Sequence, residues 1–193
     1  SIQITKGAGS VVNGYESISG QINTELLKPL KDIPFFLNAY GSTDSRFELN
    51  THFTKKISDK WATSLFLHGN TRVAKNDMNH DHFLDNPLGK QVNVTNRWQY
   101  YNAETGWVSF FNLKFMKDEK QTGELDFDKK RDKLTTNFWG SEINTERLDF
   151  TSKVGYVFKD MPYQSIGFQN AFSNHNQDSY FGLNQYNIKQ QSY

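Results

Sequence analysis

Cysteine is absent from the 193 residues. That removes disulfides, thiolate metal centres, iron–sulfur clusters and a cysteine nucleophile. Neither sign of charge dominates: Lys and Arg number 22, Asp and Glu 21, for a net charge of +1. A nucleic-acid binder usually carries a basic face, so this balance gives no support for one. Aliphatic bulk is also scarce. Hydrophobic residues make up 36%, and no run of about 18 apolar residues occurs that could cross a membrane as a helix. What the chain does have is rings and amides: aromatics reach 15%, with 19 Asn and 11 Gln. Disordered segments are poor in aromatics. This mixture suits a β-rich chain with one apolar and one wet face. A membrane β-barrel stays open as a reading, because its alternating strands keep hydropathy low.

From Phe35 onward, apolar and polar residues alternate. The spacing predicts strands at Phe35–Ser42, Arg46–Lys56, Trp61–Arg72, Val92–Tyr101, Gly106–Lys117, Glu146–Phe158 and Tyr163–Asn174, with an eighth beginning near Tyr186. In Glu146–Phe158 one face carries Leu148, Phe150, Val154, Tyr156 and Phe158, and the other Arg147, Asp149, Thr151 and Lys153. A period of two with charge on one face means half-buried antiparallel strands. Several of these runs approach the ~9–11 residues of a tilted membrane strand, longer than the ~5–6 usual in soluble domains. The connections 57–60, 102–105 and 159–162 are short. Those at 73–91, 118–145 and 175–185 are longer, and 43–45 is a short exception on their side. Short turns on one rim and long loops on the other are the pattern of an outer-membrane barrel. Trp61, Trp98, Tyr100, Tyr101, Trp107, Tyr156, Phe158 and Tyr163 gather beside the short turns, as amphipathic rings do at a membrane interface. Periodicity alone leaves a soluble β-sandwich open.

The first thirty residues differ. Ile2–Thr5 reads as a strand, Lys6-Gly7-Ala8-Gly9 as a turn, Ser10–Asn13 as one helical turn before Gly14, and Gly20–Leu26 as a second alternating stretch; Pro29 and Pro34 bracket a linker. The order strand, Lys6-Gly7, small-residue turn, then Gly20-Gln21-Ile22-Asn23 resembles the end of the plug domain of TonB-dependent outer-membrane receptors. Lys6-Gly7-Ala8 stands where that family often has Arg-Gly-Pro. The stretch Phe83–Asn93 leading into Asn96-Arg97-Trp98 is similar to one branch of those receptors. The resemblance implies an all-β, antiparallel transmembrane β-barrel segment with the end of a plug. Residues 1–28 would be plug, 29–34 linker, and 35–193 the first seven to eight strands of the barrel. It also implies a Gram-negative outer membrane, contact with outer-membrane lipid, and energy from the TonB complex through plug regions outside this chain. The cargo would be an extracellular small molecule or metal chelate, most commonly a ferric siderophore. The chain opens at Ser1 inside a strand with no signal peptide ahead, and Asn187–Tyr193 closes no element, so a fragment of a longer protein is expected.

Candidate sites are few. Gly7-x-Gly9 lacks the third glycine, long helix and parallel strand of a dinucleotide fingerprint. No nucleophile elbow or His-Glu-x-x-His motif occurs, and no enzyme is expected. His52 and His68 fall in strands, on the polar faces. Arg46, Glu48, Arg147, Asp149 and Lys153 are charges that could hold a plug, or simply be solvated. Trp139, far from the other tryptophans, could stack on a ligand or pack a loop. Asp77, Asn79, Asp81, the Phe83 carbonyl and Asp85 occupy positions 1, 3, 5, 7 and 9 of a Ca2+-type loop. His82 replaces the turn glycine, and Leu88 stands where a bidentate Glu would close the site. His80 and His82 around Asp81 offer a transition-metal alternative, and an ion-free acidic loop is the third reading.

Overall fold

The computed structural model describes residues 2–7, 19–161 and 163–193. The helical turn expected at Ser10–Asn13, with Gly14, lies outside them. The described residues form two antiparallel sheets and no helix. β1 (Ile2–Lys6) pairs with β2 (Gly20–Thr24) through five matched residues. The remaining strands are β3 (Phe35–Gly41), β4 (Arg46–Lys56), β5 (Trp61–Arg72), β6 (Leu88–Asn102), β7 (Trp107–Gly123), β8 (Gly140–Val157), β9 (Ser165–Phe181) and β10 (Asn184–Ser192). They pair in chain order as one eight-stranded meander, with β3 and β10 at its two edges. The sheet is open, not a closed barrel.

Because directly paired residues share a face, the registers divide the sheet into two surfaces. On one, Phe53, Leu65, Asn96, Leu113, Phe150 and Phe172 form a row across six strands, and Leu67, Val94, Phe115 and Leu148 lie in the next. On the other, His52, Phe66, Thr95, Lys114, Asp149 and Ser173 line up. The expected division of Glu146–Phe158 holds in this register. The apolar surface is not a core: Phe47, Leu49, Leu113, Phe115, Leu148, Phe150 and Phe168 are all exposed. A β-sandwich would bury such a face against a second sheet, and no second sheet covers it among the described residues.

Side-chain oxygens and left-handed residues make the turns. In 57–60, Ser58 Oγ accepts from the Lys60 and Trp61 amides. After β6, Asn102 Oδ1 accepts from the Glu104 and Thr105 amides, and Gly106 closes the turn at φ 77°. A Cβ there would meet the Val157 carbonyl oxygen at 2.2 Å, so only glycine fits.

The opposite rim departs from expectation. β9 runs on to Phe181 and reverses through Gly182-Leu183, so 175–185 is a hairpin and not a loop. The other two long connections shrink to residues 73–87 and 124–139. The outer ends of β6–β9 are mostly polar on both faces, with Leu88, Ile143, Tyr180 and Phe181 the exceptions. They carry no apolar alternation to read, and are held as strands by cross-strand pairing.

Candidate functional site

The polar surface is where functional side chains gather. A chain of amides crosses it from β3 to β6. Asn50 Nδ2 donates to Asn38 Oδ1 at 3.4 Å and to Glu48 Oε1 at 3.1 Å; Asn50 Oδ1 lies 2.6 Å from His68 Nδ1. Asn70 Nδ2 lies 3.1 Å from His68 Nε2 and 2.8 Å from Gln91 Oε1. His68 is thus fixed between two amides, Asn50 and Asn70.

Nearer the short-turn rim, the linker lies against this surface. Pro29 is fully buried. The Leu30 amide donates to Gln99 Oε1 at 3.2 Å, and the Thr54 amide to the Pro34 carbonyl at 2.7 Å. Between these bonds, Asp32 Oδ2 approaches His52 Nε2 to 3.2 Å, with both side chains under a tenth exposed. The two atoms make no hydrogen bond, with each other or elsewhere. The His52 ring lies against Phe36 (centroids 5.5 Å, nearly parallel) and Phe66 (5.4 Å). Those two rings fix its direction, so the imidazole meets the linker and not solvent.

The charges expected to hold the first segment mostly hold each other. Arg46 pairs with Glu48 at 2.9 Å, and Arg147 with Asp149 at 2.8 Å. Asp32 and Gln99 do the docking, and neither was singled out in the sequence. The only hint was their proximity to a proline-bracketed stretch and a polar strand face. Lys153 stands with Gln21–Thr24 around a cavity of about 1100 Å3 between β2 and the sheet.

On the far rim the loops are knit together. Phe83 bridges Glu124, the Leu84 amide donates to Gly123 O at 2.9 Å, and Leu125 N to His82 O at 2.8 Å; Lys75 Nζ donates to the Leu125 carbonyl. Residues 118–133, part of the connection expected at 118–145, continue β7 to Gly123 and then fold over their own small core. Phe127 is 3% and Asp132 1% exposed. Arg131 hydrogen-bonds Asp132 at 2.8 Å and, with the Asp128 amide, holds that carboxyl at a pKa of about 2. The same contact raises the Arg131 guanidinium above its ordinary value. Trp139 packs: its ring lies 6.3 Å from Phe83, and its indole sits against Gly182, which takes φ 58°.

In the loop 73–87, Asp77, Asn79 and Asp81 do come together, as acceptors for backbone amides. Asp77 takes Asp81 N at 3.2 Å and His82 N at 3.0 Å, and Asp81 takes Phe83 N at 2.8 Å. Asp85 accepts from Met78 N at 2.7 Å. His80 and His82 adopt φ of 60° and 67°, so His82 does take the left-handed turn that glycine would supply. Among the described residues no group of three or more His, Asp or Glu stands ready to hold a metal. Backbone amides bond the carboxylates of Asp77, Asp81 and Asp85.

The apolar surface has its own organisation. Trp61 contacts Tyr100 (5.0 Å) and Trp98 (6.3 Å), and Trp107 contacts Tyr156 (5.1 Å), which meets Phe158 (5.2 Å). These rings edge the short-turn rim. Tyr101 alternates to the polar side. At the other end of the face, Lys117 pairs with Glu146 at 2.8 Å and Lys90 with Glu119 at 3.1 Å.

Compared with protein-family models, curated proteins and solved structures, the chain matches none.

Proposed function

We propose that the chain is part of an outer-membrane, TonB-dependent receptor, comprising the end of its plug, the linker and the first eight strands of its barrel. One observation carries the reading: an eight-stranded meander leaves its apolar face uncovered, while its polar face receives the chain's own linker. In water that arrangement is inside out; in lipid it is the ordinary one. From Trp107 to Lys117 are ten residue steps, roughly 34 Å of strand at about 3.4 Å each. At a tilt of ~40° that is roughly 26 Å of membrane depth, close to the ~25 Å apolar band of such barrels. Aromatics bound this band on one side and Lys–Glu pairs on the other. Open edges at β3 and β10 are too costly in lipid, so transport belongs to a protein with the remaining strands.

The resemblance at Ile2–Asn23 separates this reading from a passive pore, which has no use for a plug. The cargo class, a scarce nutrient such as a ferric siderophore or another metal complex, follows from the resemblance alone. Two measurements test the proposal on the intact protein. It should require detergent to remain dispersed, and cells lacking it should lose energy-dependent uptake of one ferric chelate. A protein that stays monomeric in plain buffer overturns the membrane part; unchanged uptake of every ferric chelate tried overturns the cargo.

A further inference from the structure

The linker and the residues just before it are attached to the sheet very differently. Four residues of the polar surface are sealed: His52 and Gln99 are 6% exposed, and Ala62 and Ser64 not at all. Ala62 pairs with Gln99 on β6, and Ser64 with Thr54 on β4. The small side chains of β5 leave a trough between β4 and β6 as its two banks. The linker crosses it. Pro29 is fully buried. Leu30 bonds Gln99 on one bank, while Asp32 and Pro34 reach His52 and Thr54 on the other.

Upstream, nothing comparable holds the chain. Among the described residues, no hydrogen bond joins β1 or β2 to the meander; Asn23 Nδ2 donates to Gln3 on the neighbouring strand. β2 faces the sheet across the cavity of about 1100 Å3. Beyond it, Leu26 and Leu27 are 47 and 48% exposed. Glu25 pairs with Lys28 at 2.8 Å inside the same short segment, and also feels the Arg97 charge. Charges so exposed are screened by solvent and hold little. Firm attachment therefore begins at Pro29. Lifting the linker would uncover the trough and part Asp32 from His52; shifting β2 breaks none of these contacts. Burial that changes so sharply along a chain separates a part that holds from a part that opens.

We propose that residues 29–34 are a clamp that stays on the barrel wall while the segment before them shifts, with residues 25–28 as its hinge. The inference rests on the receptor reading, in which energy reaches the protein through its plug. β3 starts at Phe35, directly after the clamp. A load that ran past Pro34 would fall on the pairing of Phe35 with Phe53 and peel β3 from β4. The clamp stops that load on Gln99 and His52, and the strands stay paired.

The first test pulls on the intact protein, held in a bilayer, from a handle at Ile2→Cys. From Ile2 to Lys28 are 26 residue steps, so a first release of roughly 90 Å of chain is expected. The clamp should add roughly 20 Å in a separate step at higher force. In the double variant His52→Ala/Gln99→Ala the two steps should merge. A single step of roughly 110 Å in the wild type overturns the clamp. Two unchanged steps in the variant overturn the part given to those side chains. The second test measures uptake of the ferric chelate in cells whose protein carries thiol pairs joined by a short bifunctional reagent. Joining Leu30→Cys to Gln99→Cys fastens the clamp and should leave uptake unchanged. Joining Asn23→Cys to Gln169→Cys ties β2 across the cavity and should abolish it. Uptake lost with the first pair means that the linker leaves the wall; uptake kept with the second means that the segment before it does not shift. Either result overturns the inference. If the unjoined protein imports nothing, the receptor reading fails, and the pulling measurement still decides the clamp.

Discussion

Asp32 Oδ2 lies 3.2 Å from His52 Nε2, joining the linker to the second strand of the meander in a contact that water hardly reaches. The stacking of His52 between Phe36 and Phe66 gives the pair its rigidity. The bonds Leu30 to Gln99 and Thr54 to Pro34 flank it. Removing one partner leaves the other buried and unmatched, which typically costs about 1–3 kcal/mol. In His52→Ala, amide exchange at Leu30 and Thr54 should accelerate, with that at Leu113 in mid-sheet unchanged. Acceleration spread equally over the sheet would mean that His52 supports the strand and not the linker.

Leu113 occupies the row midway between the aromatic edge and the Lys–Glu edge, whereas Val154 lies nearer the aromatic end. Leu113→Arg should therefore destabilise the intact protein by about 2–4 kcal/mol in bilayers, the cost of Arg near the midplane. Asn112→Arg, one residue along on the polar face, should cost far less. Equal costs, read from unfolding in lipid vesicles, would defeat the assignment of faces.

Asp132 is charged and buried beneath the outer loop, its pKa held at about 2 by Arg131. Its folded value lies below its ordinary one, so the stability it contributes is fully present above about pH 4. That stability is lost as pH falls through about 2. Trp139, within the same loop assembly, should report this as a fluorescence change between about pH 4 and 2. Asp132→Asn should remove that transition; a transition that persists unchanged in the variant would assign it to other carboxyls.

Asp77 accepts both the Asp81 and His82 amides. Asp77→Ala should increase exchange at those two amides while leaving β6 and β7 protected. Calorimetric titration with Ca2+ and then Zn2+ checks the loop's ion chemistry. With the carboxylates bonded to amides, no heat is expected from either; a heat that disappears in Asp77→Ala would mean that the loop rearranges around an ion.

Much of the architecture could be read directly. β4 and β5 stand where alternation placed them, Arg46–Lys56 and Trp61–Arg72; in β4 one face carries Phe and Leu and the other charge. Phe53 and His52 therefore point opposite ways whatever surrounds them. Period two determines the face of every residue within such a strand, and Asn102 and Gly106 announce their turn through side-chain and backbone chemistry. The polar outer halves of β8 and β9 could not be read this way. Gly140–Thr145 and His175–Phe181 are strands because each lies between two paired neighbours, and a polar sequence carries no record of its neighbour. Asp32 meeting His52 and Trp139 against Phe83 likewise depend on residues far apart in the chain. The local sequence determined which way each side chain faces; cross-strand register and loop packing decided what it meets there.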